Sequence, residues 1–141
     1  MSRVRFQLLF IPPSTRANWS GSAEDSNIEL TEWYSWRLMG ANNRELGRSA
    51  LRYESYAGAR QAVGRLQRHA DQLVCTTVVD PGTGRWGWRI ELDGGAVAVS
   101  GRWYERDHDS RLGMDKFVDL LPEADLLDAV VALRVRHRSR S

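Results

Sequence analysis

Large apolar side chains alternate with small or charged ones along Trp86-Gly87-Trp88-Arg89-Ile90. The same alternation occurs 52 residues earlier, at Tyr34-Ser35-Trp36-Arg37-Leu38. A period of two belongs to a half-buried strand. Tyr34, Trp36 and Leu38 then form one face and Ser35, Arg37 and Met39 the other, in a strand expected over 28–39. Trp86, Trp88, Ile90 and Leu92 share a face in its counterpart. Phe6, Leu8 and Phe10 set the same period in a first strand, 4–11, closed by Pro12-Pro13.

Turn chemistry divides the remaining strands. Gly40-Ala41-Asn42-Asn43 predicts a hairpin into a short return strand at 45–49, since Asn tolerates left-handed backbone. Asp80-Pro81-Gly82-Thr83-Gly84 closes a β-branched run at 73–79, and Asp93-Gly94-Gly95 leads into a strand at 96–100. Residues 12–27 hold Trp19 as their one large apolar side chain and predict a long loop.

Two segments change to helical period. Ser55 can cap a helix with Ala59, Ala62, Val63, Leu66 and Ala70 inward, and Gly64 in it suggests a close approach to a sheet. Ser110 can cap a second helix with Met114, Phe117, Leu120 and Leu121 inward. Leu66–Leu73 also parallels Leu120–Leu127 at an offset of 54 residues. The tail reads as a helix from Pro122 or as a strand at 129–136; the alternation of Val131, Leu133 and Val135 with Ala132, Arg134 and Arg136 favours the strand. Residues 137–141 form a basic end expected to fray.

These elements predict an α+β fold: a tandem duplication of a β-β-β-α-β unit, with one shared, mainly antiparallel sheet and two helices on one face. The repeats run over 1–72 and 73–136, followed by the basic tail at 137–141, all in one domain. A unit this small is marginal alone, so pooled apolar faces stabilise both.

The repeat motif comprises Trp36-Arg37-Leu38, Asn42, Gly47, Ser49, Tyr53 and Ser55 in the first copy. The second supplies Trp88-Arg89-Ile90, Asp93-Gly94, Ala98, Ser100 and Tyr104. The pattern resembles the YegP-like family, small tandem-repeat proteins of unknown function, over about residues 30–127. Asn43 departs from that family's hairpin glycine, and neither helix begins with its Ser-Lys pair. The resemblance implies that the halves exchange their last strands, which gives Val131–Val135 a partner in the first half. It carries over no catalytic residues.

Composition narrows the chemistry. With 42% hydrophobic residues in 141, the chain can build its own core, and it has no apolar run long enough for a membrane span. The apolar stretch before Pro12 is too short for a secretory leader. Cys75 is the single cysteine, so no internal disulfide or cysteine-based zinc cluster forms, and a reducing, cytoplasmic setting is expected. Nineteen of twenty cationic residues are Arg, yet the net charge is only +2, so the Arg excess alone does not signal nucleic acid.

The candidate sites are few. Glu105-Arg106-Asp107-His108-Asp109 is the densest cluster of ligand-type side chains, but adjacent loop residues seldom converge on one ion, and a solvated loop leading into a helix is the simpler reading. Neither a phosphate-binding glycine loop nor a Gly-x-Ser-x-Gly elbow is present. Cys75, in its β-branched run, is expected to be a buried inert thiol. No cofactor or metal is expected. Trp36 and Trp88 belong to the core, whereas Trp33, Arg37 and Arg89 fall on the opposite parity and, with Arg134 and Arg136 of the tail, form a candidate binding face. The leading expectation is a non-catalytic binding or interaction module whose partner, a protein or a second copy, is unknown. The alternatives are nucleic-acid binding through the Arg tail and an aromatic sheet face, and, last, an enzyme acting at 105–109.

Overall fold

The computed structural model describes residues 3–13 and 32–132. Most of the expected 12–27 loop, the start of the strand expected from Ile28, Arg134, Arg136 and the 137–141 tail lie outside the described residues. The elements follow as β1 (Arg5–Ile11), β2 (Trp33–Met39), β3 (Glu45–Ser49), α1 (Tyr56–Arg68), β4 (Val74–Val79), β5 (Trp86–Leu92), β6 (Gly95–Val99), α2 (Asp107–Leu120) and β7 (Asp125–Ala132). Each helix ends in a 3₁₀ turn, Ala70–Gln72 or Leu121–Glu123. None of the described helices is long and apolar enough to cross a membrane.

The strands make one sheet in the order β4-β5-β6-β3-β2-β1-β7. All pairings are antiparallel except β1 with β7. The final strand therefore has its partner in the first half, as expected, while β4 pairs with β5 at the far edge. The tail is a strand, but it begins at Asp125 rather than 129, directly after the 3₁₀ turn at Pro122.

Turn residues explain the hairpins. Asn43 (φ 62°) and the pair Asp93 (φ 52°) and Gly94 (φ 82°) take the left-handed backbone that two tight reversals require.

Both helices cover one face of the sheet and share one core. Trp36 and Trp88 are each 1% exposed and Phe6, Leu8, Leu38 and Ile90 are fully buried. Phe117 of α2 joins the halves: its ring centroid lies 4.9 Å from that of Trp88 and 6.3 Å from that of Trp36. Each buried tryptophan removes roughly 200 Å² from water, worth about 5 kcal/mol before entropy is counted. Gln67 of α1 adds a polar link by donating to the Leu121 and Ala124 carbonyls beyond α2.

Helix starts follow local chemistry, with one correction. Ser55 caps α1, its Oγ accepting from the Gly58 N–H at 3.0 Å. Ser110 does not cap α2; the helix begins at Asp107 after Arg106, with no side-chain cap. Ser110 is fully buried and donates its hydroxyl to the Gly87 carbonyl at 2.7 Å, tying α2 to β5. Asp107 and Asp109 in the first turn favour the helix start electrostatically. Gly64 does not mark a close approach either: a Cβ there would meet only the end of Arg68.

The spacing of 54 read between the helix sequences is not the one the elements keep. The caps Ser55 and Arg106, the 3₁₀ turns from Ala70 and Leu121, and the strands from Val74 and Asp125 are each 51 residues apart.

Candidate functional site

The face of the sheet turned away from the helices carries a cross-strand row. Gln7 is opposite Arg37, Arg37 opposite Arg48, Arg48 opposite Val99, Val99 opposite Arg89, and Arg89 opposite Thr76. Parity thus turns Arg37 and Arg89 away from the helices, as the pattern predicts, and adds Arg48, which sequence reasoning missed. Alternation in β3 is broken by a bulge opposite Leu38 and Met39, which hides the register of Arg48 from a simple period.

These arginines are matched within their own face. Arg37 Nε donates to Gln7 Oε1 at 2.8 Å and its Nη1 lies 4.0 Å from Glu45 Oε1. Arg48 makes a forked pair with Glu45, and Arg89 lies 3.0 Å from Glu91. Each pair stabilises the fold little in solvent, but together they cancel most of the field that would draw a polyanion. Trp33 is half-buried at one corner. Trp103, 50% exposed, lies over Gly87, where the absent side chain leaves room for its ring. Arg134 and Arg136 are outside the described residues.

The 105–109 segment is a loop only at Glu105 and Arg106: Asp107, His108 and Asp109 form the first turn of α2. Glu105, His108 and Asp109 are exposed, Glu105 pairs with Arg85 at 3.2 Å, and Asp107 pairs with Arg111 at 3.0 Å. No group of three metal-ligating side chains occurs among the described residues.

Cys75 is exposed, which corrects the expectation of a buried thiol. Its β-branched run lies at the edge of the sheet, not in its interior. Partial burial, with the nearby Asp115 carboxylate second, still raises its pKa above the ordinary thiol value.

That edge is the second surface. The Asp80 N–H donates to the Arg85 carbonyl at 2.8 Å, and β4 pairs onward from Val79 opposite Trp86. Bonded and non-bonded pairs alternate in an antiparallel ladder, so Val78, Thr76 and Val74 also turn their backbone groups toward β5. Cys75, Thr77 and Val79 turn theirs outward, to no strand among the described residues. Val74 and Val79 are 58% and 48% exposed.

The third is a cavity of about 580 Å³ beside α1, between that helix and the β5–β6 hairpin. Leu51, Leu66, Leu92 and Val97 give it apolar walls and Gln61, Arg65 and Arg68 a polar side. Arg65 is ion-paired with Asp93 in the hairpin turn.

With this geometry in place, likeness to solved structures can be weighed. The protein of unknown function YegP from E. coli matches with a TM-score of 0.62, covering 92% of this chain and 96% of its own at 11% identity. The chain has the YegP fold. A UPF0339 protein from Shewanella oneidensis matches with a TM-score of 0.59 and 11% identity, covering 96% of this chain and 98% of its own. No family model and no curated protein matches the sequence. At 11% identity the likeness shows the shared topology alone. Function is not transferred by a shared fold.

Proposed function

We propose that the protein is a non-catalytic interaction module that adds a strand at the outer edge of β4, and that the strand it takes is β4 of a second copy. The observation that carries this reading is the outward-turned backbone of Cys75, Thr77 and Val79 on a strand without a charged residue or proline. Sheet edges are ordinarily protected by charge, proline, a bulge or covering chain, and Val74–Val79 has none of these among the described residues. An identical strand meets no like-charge repulsion along 74–79.

Two-fold antiparallel pairing centred on Thr77 sets Cys75 opposite Val79 of the second copy and uses all three outward residues. The axis then runs perpendicular to the sheet, so facing residues share a face and all helices stay on one side. The faces bearing Arg37, Arg48 and Arg89, turned away from the helices, then lie side by side. Nucleic acid is the weaker reading, because those arginines already have Glu45 and Glu91 as partners.

Sedimentation over a dilution series tests the proposal. The wild type should dissociate from dimer to monomer on dilution, whereas Thr77→Pro, which removes only an outward N–H, should be monomeric with an unchanged far-ultraviolet spectrum. A wild type monomeric at its highest soluble concentration, or a dimeric Thr77→Pro, overturns it.

We also propose that the chain is a divergent YegP-like protein built by duplication, with the boundary moved from 72/73 to after β4, since the 51-residue shift matches β4 to β7, and that it works in a reducing, cytoplasmic compartment. The common 51-residue shift of caps, turns and strands supports the first point and the lone cysteine the second. Experimental coordinates in which the segments Trp36–Tyr53 and Trp88–Tyr104 do not superpose would remove the duplication. Secretion of the native protein into an oxidising compartment would remove the localisation.

A further inference from the structure

One of the matched positions at which the two halves differ coincides with the cavity. Tyr53 and Tyr104 each stand two residues before a helix cap, and each forms an isolated bridge, to Tyr34 and Trp86 respectively. Two residues beyond those bridge partners are Trp36 and Trp88, both buried, and both with an indole N–H that has no hydrogen-bond partner. Seven residues after each cap the helices present Ala62 and Gly113.

At Gly113 the absence of a side chain lets Tyr104 close the space. A Cβ there would collide with the Tyr104 hydroxyl, with the ring Cζ at 3.0 Å and Trp88 Nε1 at 3.6 Å. In the first half a methyl group stands at that place. Tyr53 cannot repeat the closure of Tyr104 against Ala62, and Trp36, Tyr53 and Ala62 all line the 580 Å³ opening. The cavity is therefore where the first half lacks the aromatic plug of the second.

Its lining selects a ligand class. Leu92 and its apolar neighbours suit a hydrocarbon or aromatic body, while Arg65 and Arg68 supply positive charge. Arg65 shares its charge with Asp93, and Arg68 has no ion pair among the described residues. Trp36 lines the same space, with its indole N–H itself buried and without a hydrogen-bond partner, as is that of Trp88. A pocket with apolar walls and a few polar groups on one side is the ordinary form of a small-molecule site. We propose that this cavity binds a small organic anion, a carboxylate or phosphomonoester on an apolar body, with Arg68 as its principal charge partner. This site is separate from the β4 edge, and the one can fail while the other stands.

Amide and indole resonances of the ¹⁵N-labelled full chain, followed during titration with 3-phenylpropanoate, test it. The shifts should saturate and centre on Ala62, Arg65, Arg68 and the Trp36 indole, and the neutral 3-phenylpropanamide should bind at least about tenfold more weakly, the equivalent of one charge-assisted hydrogen bond. Arg68→Gln should weaken the anion about tenfold on the same ground. Ala62→Leu, which fills the space from a half-buried position at the cavity wall, should abolish the shifts while the rest of the spectrum persists. Phenyl phosphate in parallel distinguishes a phosphomonoester preference from a carboxylate one. Absent or unsaturable shifts for both anions overturn the proposal, as do equal binding of the amide, full retention by Arg68→Gln, or shifts centred outside these residues.

Discussion

The Cα of Gly47 in β3 faces the ring of Trp88 so closely that a Cβ at Gly47 would lie 2.5 Å from Trp88 Cη2 and 2.7 Å from Phe117. Both rings are essentially fully buried and have nowhere to retreat. Gly47→Ala should therefore destabilise the fold by about 2–3 kcal/mol, the range for overpacking a dense core. Gly64→Ala should act in the opposite sense, stabilising by about 0.5–1 kcal/mol, because its Cβ meets only the mobile end of Arg68 in a helix. Guanidinium denaturation of the two variants beside wild type measures both. Equal signs would contradict the packing described around Trp88.

The positions of these glycines also mark what the sequence made legible. Gly47 was visible as part of the repeat motif, and the alternation through Trp36 and Trp88 identified the buried faces of β2 and β5, because period two survives wherever a ladder is regular. Arg48 was not visible, since the bulge opposite Leu38 and Met39 breaks that period. Cys75 was misplaced because a β-branched run looks the same in a central and an edge strand, and only pairing order separates them. Ser110 looks like a cap in the sequence because its buried bond to the Gly87 carbonyl spans 23 residues, which no local pattern records. The cavity beside α1 depends on what Ala62 and Gly113 each face across a helix–sheet interface. The difference between those two residues was in the sequence, but its consequence was not.

Acid should weaken the turn between β4 and β5. Asp80 accepts from the Thr83 hydroxyl at 2.7 Å and from the Gly82 N–H at 3.2 Å, and these bonds, the Thr83 one first, hold its carboxyl below the ordinary carboxylate pKa. A pKa lower in the folded than in the unfolded chain means the unfolded chain binds more protons in the intervening range. The stabilisation is thus fully present above about pH 4 and is lost as pH falls through the folded value. The stability difference between wild type and Asp80→Ala should be constant from about pH 7 to 5 and shrink below about pH 4. Denaturation curves across that interval give the difference directly, and one that grows on acidification would refute the account.

Cys75 combines exposure with a thiol that resists ionising. Partial desolvation is the larger cause and the Asp115 carboxylate on α2 the smaller, and both disfavour the thiolate. Alkylation by iodoacetamide follows the thiolate population, so the reaction should proceed in the native state but with a pH midpoint above the ordinary value of about 8.5. Asp115→Asn removes the smaller contribution alone, and should move the midpoint down without bringing it to that of an unstructured peptide. The rates need protein dilute enough to keep β4 unpaired, because strand addition beside Cys75 would restrict the reagent for a separate reason. A midpoint below the peptide value, or one that Asp115→Asn raises, would mean that the β4–α2 surface is electropositive at Cys75, contrary to the geometry described.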